Sequence, residues 1–79
     1  ELPSAEASVG TAVVELFVAL GFEKGVGAAR RTLTSGGLNM NNAKVTDAAQ
    51  VLADSDVLPG GIVLVRKGKK NLGVIRVSS

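Results

Sequence analysis

The chain has 79 residues, a net charge of +2, no cysteine and no histidine, which sets one domain as its ceiling and leaves its core without disulfide or zinc support. Sites that need a thiolate, an imidazole base or a Cys/His metal cluster are excluded, and no apolar run approaches the roughly 18 residues of a membrane span. The nine bases fall in two acid-free blocks: Lys24, Arg30, Arg31 and Lys44, then Arg66, Lys67, Lys69, Lys70 and Arg76. If folding brings those blocks together, one surface is strongly positive, the footprint of a nucleic-acid binder. Two separate solvated segments are the plainer reading of the same charges.

Residues 1–10, ELPSAEASVG, are acidic, small and polar, unlike a signal or transit peptide, and read as a flexible linker before a domain over 11–79. A helix is predicted over 11–20. Val13, Leu16, Phe17 and Leu20 recur at helical spacing, Thr11 is placed to cap the start, and Gly21 to end it. A second helix over 26–35 carries Val26, Ala29 and Leu33 on one face and stops at Gly36-Gly37. Arg30 borders that face, so its stem can pack on the core, and Arg31 points further round. Leu38 and Met40 alternate around Asn39 as a half-buried strand, Asn41-Asn42 is a turn signal, and Lys44-Val45 resume extended structure. Residues 46–61 form a connection with one helical turn expected over 48–53, capped by Thr46 or Asp47, ending at Pro59-Gly60-Gly61. The apolar run 62–66 predicts a strand buried on both faces. KGKK turns, and 71–77 returns antiparallel, with Arg76 as a candidate guard of an edge strand. The order α-α-β-turn-β-β is an α+β domain, two helices packed on a small, mainly antiparallel sheet.

Gly25-Val26-Gly27 before the second helix is a poor dinucleotide loop, because Arg30 holds the third glycine position and no strand precedes it. No catalytic residue, metal site or cofactor is expected. Readers of single strands stack bases on aromatic rings, and the only aromatics are Phe17 and Phe22, both core candidates. An RNA partner would therefore be held by backbone and shape, through Arg, Lys and Asn side chains and helix N-termini.

The string AARRTL, residues 28–33, followed by SGGLNMNNAKVTD, resembles the S4-like αL RNA-binding motif. The ending LPGGIVLVRKGKKNLGVIRV is similar to the C-terminal domain of bacterial-type or organellar tyrosyl-tRNA synthetases, and the likeness covers about residues 11–77. The resemblance implies a non-catalytic piece of an ATP-dependent ligase, in a bacterial cytoplasm or an organelle, whose partners are tRNA and the catalytic domain of the same polypeptide. In the family this domain clamps tRNA near its elbow and long variable arm. It implies phosphate-facing roles for Arg30, Arg31, Lys44, Arg66, Lys67, Lys69 and Lys70, with Lys24, Asn39 and Asn41 as further contacts, although Asn41 and Asn42 are more naturally turn formers. Gly25, Val26 and Gly27 stand where the family often has a capping hydroxyl and a lysine, and Asn39 where it often has an aromatic or charged residue. Two other readings remain open: a free-standing S4-like protein that binds ribosomal RNA, and a structural domain that packs on a catalytic neighbour without touching RNA.

Overall fold

The computed structural model describes residues 2–78. In chain order it has β1 (Ser4–Ser8), α1 (Val13–Ala19), α2 (Val26–Thr34), β2 (Leu38–Met40), β3 (Ala43–Lys44), a 3-10 turn (Asp54–Asp56), β4 (Ile62–Lys67) and β5 (Asn71–Ser78). The strands form one mixed sheet in the order β1-β5-β4-β2-β3, antiparallel except for β1, which runs parallel to β5. This is the expected α+β arrangement with two strands, β1 and the two-residue β3, added to the three of the predicted order.

The helices behave largely as their apolar spacing requires. Val13, Leu16 and Phe17 are buried, Val14 joins them, and Leu20 packs at the margin of the core. Gly21 takes φ 81 and Gly36 φ 84, the left-handed conformation a glycine stop supplies without a Cβ clash. Thr11 does not cap α1. Ala12 occupies that position with no side-chain bond, and the amide of Val13 is satisfied instead by the Gln50 carbonyl at 2.9 Å. The Thr11 carbonyl accepts from Leu52 at 2.8 Å. These contacts hold residues 50–52 extended beside the start of α1, which is why the expected helical turn over 48–53 shrinks. Asp47 still caps a short turn through Ala49 N at 2.9 Å, and the 3-10 turn comes later.

Val63 and Val65 are fully buried while Ile62 and Leu64 are half-buried. The helices therefore cover one face of β4 and not both. Gly73 marks the covered side, because a Cβ there would stand 2.7 Å from a Leu20 methyl and 3.2 Å from the Phe22 ring. The stretch read as a linker contains β1, with Ala5 and Ala7 packed against the core and Ser4, Glu6 and Ser8 exposed. Two alanines carry too little apolar contrast to announce a strand. Its pairing partner β5 lies at the other end of the chain, so no local signal identifies it.

Candidate nucleic-acid interface

The two basic blocks meet because β2 pairs with β4. Leu38 stands opposite Lys67 and Asn39 opposite Arg66, and just beyond the last pair the amide of Gly68 donates to the Gly37 carbonyl at 2.8 Å. That bond joins the glycine stop of α2 to the β4–β5 turn. Gly68 itself has φ 66, which lets Lys69 and Lys70 project from a short, exposed turn. The strand register then assigns each base to a side of the sheet.

On the helix-free face, one row crosses four strands: Leu72 of β5, Arg66 of β4, Asn39 of β2 and Lys44 of β3. Arg66 and Asn39 are half-buried and Lys44 is exposed. The Nε of Arg66 is buried with no hydrogen-bond partner among the described residues. Lys44 extends toward the end of α2, where a Cβ on Gly36 would stand 3.3 Å from its Nζ. An ammonium there is favoured by the negative end of the helix dipole. On the opposite side, Arg30 and Arg31 are exposed on α2, Arg31 in its last turn, while Val26, Ala29 and Leu33 face inward. The N-cap of α2 is Gly25 in extended backbone, with no side-chain bond.

Lys67 is different. It shares the parity of Val63 and Val65 and so points to the helix side, where its Nζ donates to the Phe22 carbonyl at 2.9 Å and to Glu23 Oε1 at 3.2 Å. Lys24, exposed, follows Glu23 directly, so the α1–α2 connection brings it to the same end of the sheet. Asn41 is spent inside the fold. Its Nδ2 donates to the Asp56 carbonyl at 2.7 Å and its Oδ1 accepts from Leu64 N at 3.0 Å. Asn41 and Asn42 have φ of 52 and 68, making the β2–β3 turn that sequence chemistry favours. Arg76 pairs with Glu6 across β5 and β1 at 3.5 Å, away from the cluster.

Lys24, Lys44, Arg66, Lys69 and Lys70 thus gather where β2 begins and β4 ends, beside the α2 turn that carries Arg31. Asp54 and Asp56 sit near the opposite end of β4, where Asp56 meets Asn41. Glu23 carries no sequence signal of its role: it follows Glu1, Glu6 and Glu15 with no base between them, and the lysine that covers it lies 44 positions away. Phe17 is fully buried and Phe22 lies over Gly73, so neither ring is a stacking platform. Among the described residues, no group of three or more His, Cys, Asp or Glu side chains could hold a metal ion, and no helix is long and apolar enough to cross a membrane.

A small α+β domain with a basic end is the class this geometry defines. The family model described as the tyrosine–tRNA ligase SYY-like C-terminal domain matches residues 1–75, and the chain belongs to that family. It is 42% identical over 71 residues to a tyrosine–tRNA ligase of Bifidobacterium animalis subsp. lactis, covering 90% of this chain and 16% of that protein. It is 41% identical over 78 residues to the tyrosine–tRNA ligase of Streptomyces coelicolor, covering 99% of this chain and 18% of that protein. With the ligase of Nocardia farcinica the identity is 46% over 65 residues, 81% of this chain and 15% of the relative. The chain thus spans less than a fifth of these curated relatives.

Proposed function

We propose that this domain binds tRNA, tRNA-Tyr foremost, by gripping phosphates with the basic end of its sheet, and so supports tyrosine attachment by a catalytic domain of the same polypeptide. The observation that carries the reading is the meeting of two acid-free basic blocks through the β2–β4 pairing and the Gly68–Gly37 bond. Lys69 and Lys70 at the tip, Arg31 and Arg30 on α2, and Arg66, Asn39 and Lys44 on the helix-free face offer donors to a curved, folded backbone. The lack of an exposed aromatic ring argues for backbone and shape over stacked, unpaired bases.

The test is tRNA binding by the 79-residue chain as a function of salt, with Arg31, Lys69 and Lys70 changed together to Ala. Each lost phosphate contact should lower the slope of log K against log salt by about 0.7–0.9, so the triple variant should lose roughly 2–3 in slope. Equal affinity and equal slope for wild type and variant would refute the assignment. A second reading, packing against a neighbouring part of the polypeptide, draws on Ile62, Leu64 and Val74, half-buried on the helix-free face beside exposed Leu72. It predicts no amide shifts at Arg30, Arg31 or Lys69 when tRNA is titrated in.

A further inference from the structure

We propose that Glu23 and Lys67 form a charge-neutral latch that positions the bases around them, and that Lys67 is not itself a phosphate ligand. The inference rests on the tRNA-binding reading and assigns a role inside it. The Glu23 side chain is only 5% exposed and that of Lys67 31%. Lys67 Nζ holds Glu23 Oε1 at 3.2 Å and the Phe22 carbonyl at 2.9 Å. The second carboxylate oxygen, Glu23 Oε2, is buried with no hydrogen-bond partner among the described residues. A carboxylate so enclosed depends on Lys67 for its compensation.

The pair also stands at a junction of three segments. Behind Glu23, the amides of Phe22 and Glu23 both donate to the Phe17 carbonyl, at 3.0 and 3.3 Å, and the Phe22 ring lies over Gly73. Ahead of it comes Lys24. On the other side, Lys67 leads directly into Gly68, which is bonded to Gly37, and then into Lys69 and Lys70. One ion pair therefore fixes the α1–α2 connection against the β4–β5 turn and sets how far Lys24 stands from Lys69. It also hides an acid that would otherwise repel phosphate in the middle of the basic cluster.

The experiment compares tRNA affinity across a salt series for the wild-type chain, Lys67→Met, Glu23→Gln, the double variant E23Q/K67M, and Lys69→Ala as a reference for a direct contact. Amide spectra and urea unfolding of the unliganded proteins are recorded alongside. Lys67→Met should weaken binding roughly tenfold or more, because an uncompensated carboxylate then faces phosphate. E23Q/K67M should recover affinity to within about threefold of wild type with an unchanged slope, while Lys69→Ala loses about 0.7–0.9 in slope. In the unliganded chain, Lys67→Met should shift the amides of both Lys24 and Lys69. If Lys67→Met fails to fold, Glu23→Gln and the double variant carry the comparison. A double variant that loses as much slope as Lys69→Ala would overturn the proposal and make Lys67 a phosphate ligand. Absence of coupling between the two substitutions in unfolding would overturn it too, whatever the RNA does. Wild type that does not bind tRNA, with that coupling intact, would sink the tRNA reading and leave the latch standing.

Discussion

Replacing Asn41 with alanine removes three things at once. The donation from Nδ2 to the Asp56 carbonyl at 2.7 Å is lost, as is the acceptance from Leu64 N at 3.0 Å, and alanine must then hold φ 52 unaided. Hydrogen bonds of this kind contribute about 0.5–1.5 kcal/mol each. Forcing a residue with an ordinary Cβ into the left-handed region costs about 1–2 kcal/mol, less the smaller share asparagine already bears. The sum is a loss of roughly 2–4 kcal/mol. A domain this size has a total stability of about 4–12 kcal/mol, so the loss is a large share of it. At roughly 4–8 °C per kcal/mol, the melting temperature should fall by about 10–25 °C. Urea and thermal unfolding followed by circular dichroism measure it. Asn41→Gly should recover the backbone part only, and Asn41→Asp should retain the acceptor for Leu64 and fall between. The same variants, measured for tRNA affinity below their melting temperatures, should bind within about twofold of wild type, because both polar atoms of the Asn41 amide are already engaged inside the fold. An alanine variant within about 0.5 kcal/mol of wild type would refute the reasoning, since it would mean that neither bond nor backbone conformation matters.

Gly36→Ala should destabilise the chain by about 1–2 kcal/mol in urea unfolding, because φ 84 is strained for alanine and the new methyl would meet Lys44 Nζ at 3.3 Å. No change in stability would mean that the end of α2 relaxes freely. Arg76→Ala serves as the counter-case. Its pair with Glu6 is 3.5 Å long and both side chains are largely exposed, 60% and 74%, so stability should move by less than about 0.5 kcal/mol. The tRNA salt slope should stay at the wild-type value, and a drop comparable to that of Lys69→Ala would place Arg76 in the interface after all.

Local rules made much of this fold readable. The stripe of Val13, Leu16 and Phe17 is the spacing of one helix face, and Gly21 and Gly36 stop the helices for a reason internal to glycine. Asn41-Asn42 turns because asparagine tolerates positive φ, and 62–67 pairs with 71–76 across a turn too short to allow much else. What stayed hidden depends on distant partners. β1 exists because β5 offers an edge, and alanines at 5 and 7 fit beside it without being hydrophobic enough to signal it. The direction of Lys67 was in fact available, since it is two residues from Val65 and four from Val63. The expectation of a strand buried on both faces over 62–66 hides that alternation. Glu23 was not available from its neighbours, because the residue that neutralises it lies on another element.

The short strand β1 also protects its neighbour. β4 and β5 carry the sheet's β-branched residues, and both run in its interior, while the edges fall to β1, small and centred on an acid, and to β3, two residues long with a lysine. Without β1, the eight residues of β5 would present a bare row of amides and carbonyls alongside Val74, Ile75 and Val77. That is the kind of surface on which a second copy of the chain could add a strand of its own. Five unremarkable residues thus keep the sheet finite, with no side chain in them that would attract notice in a search for function.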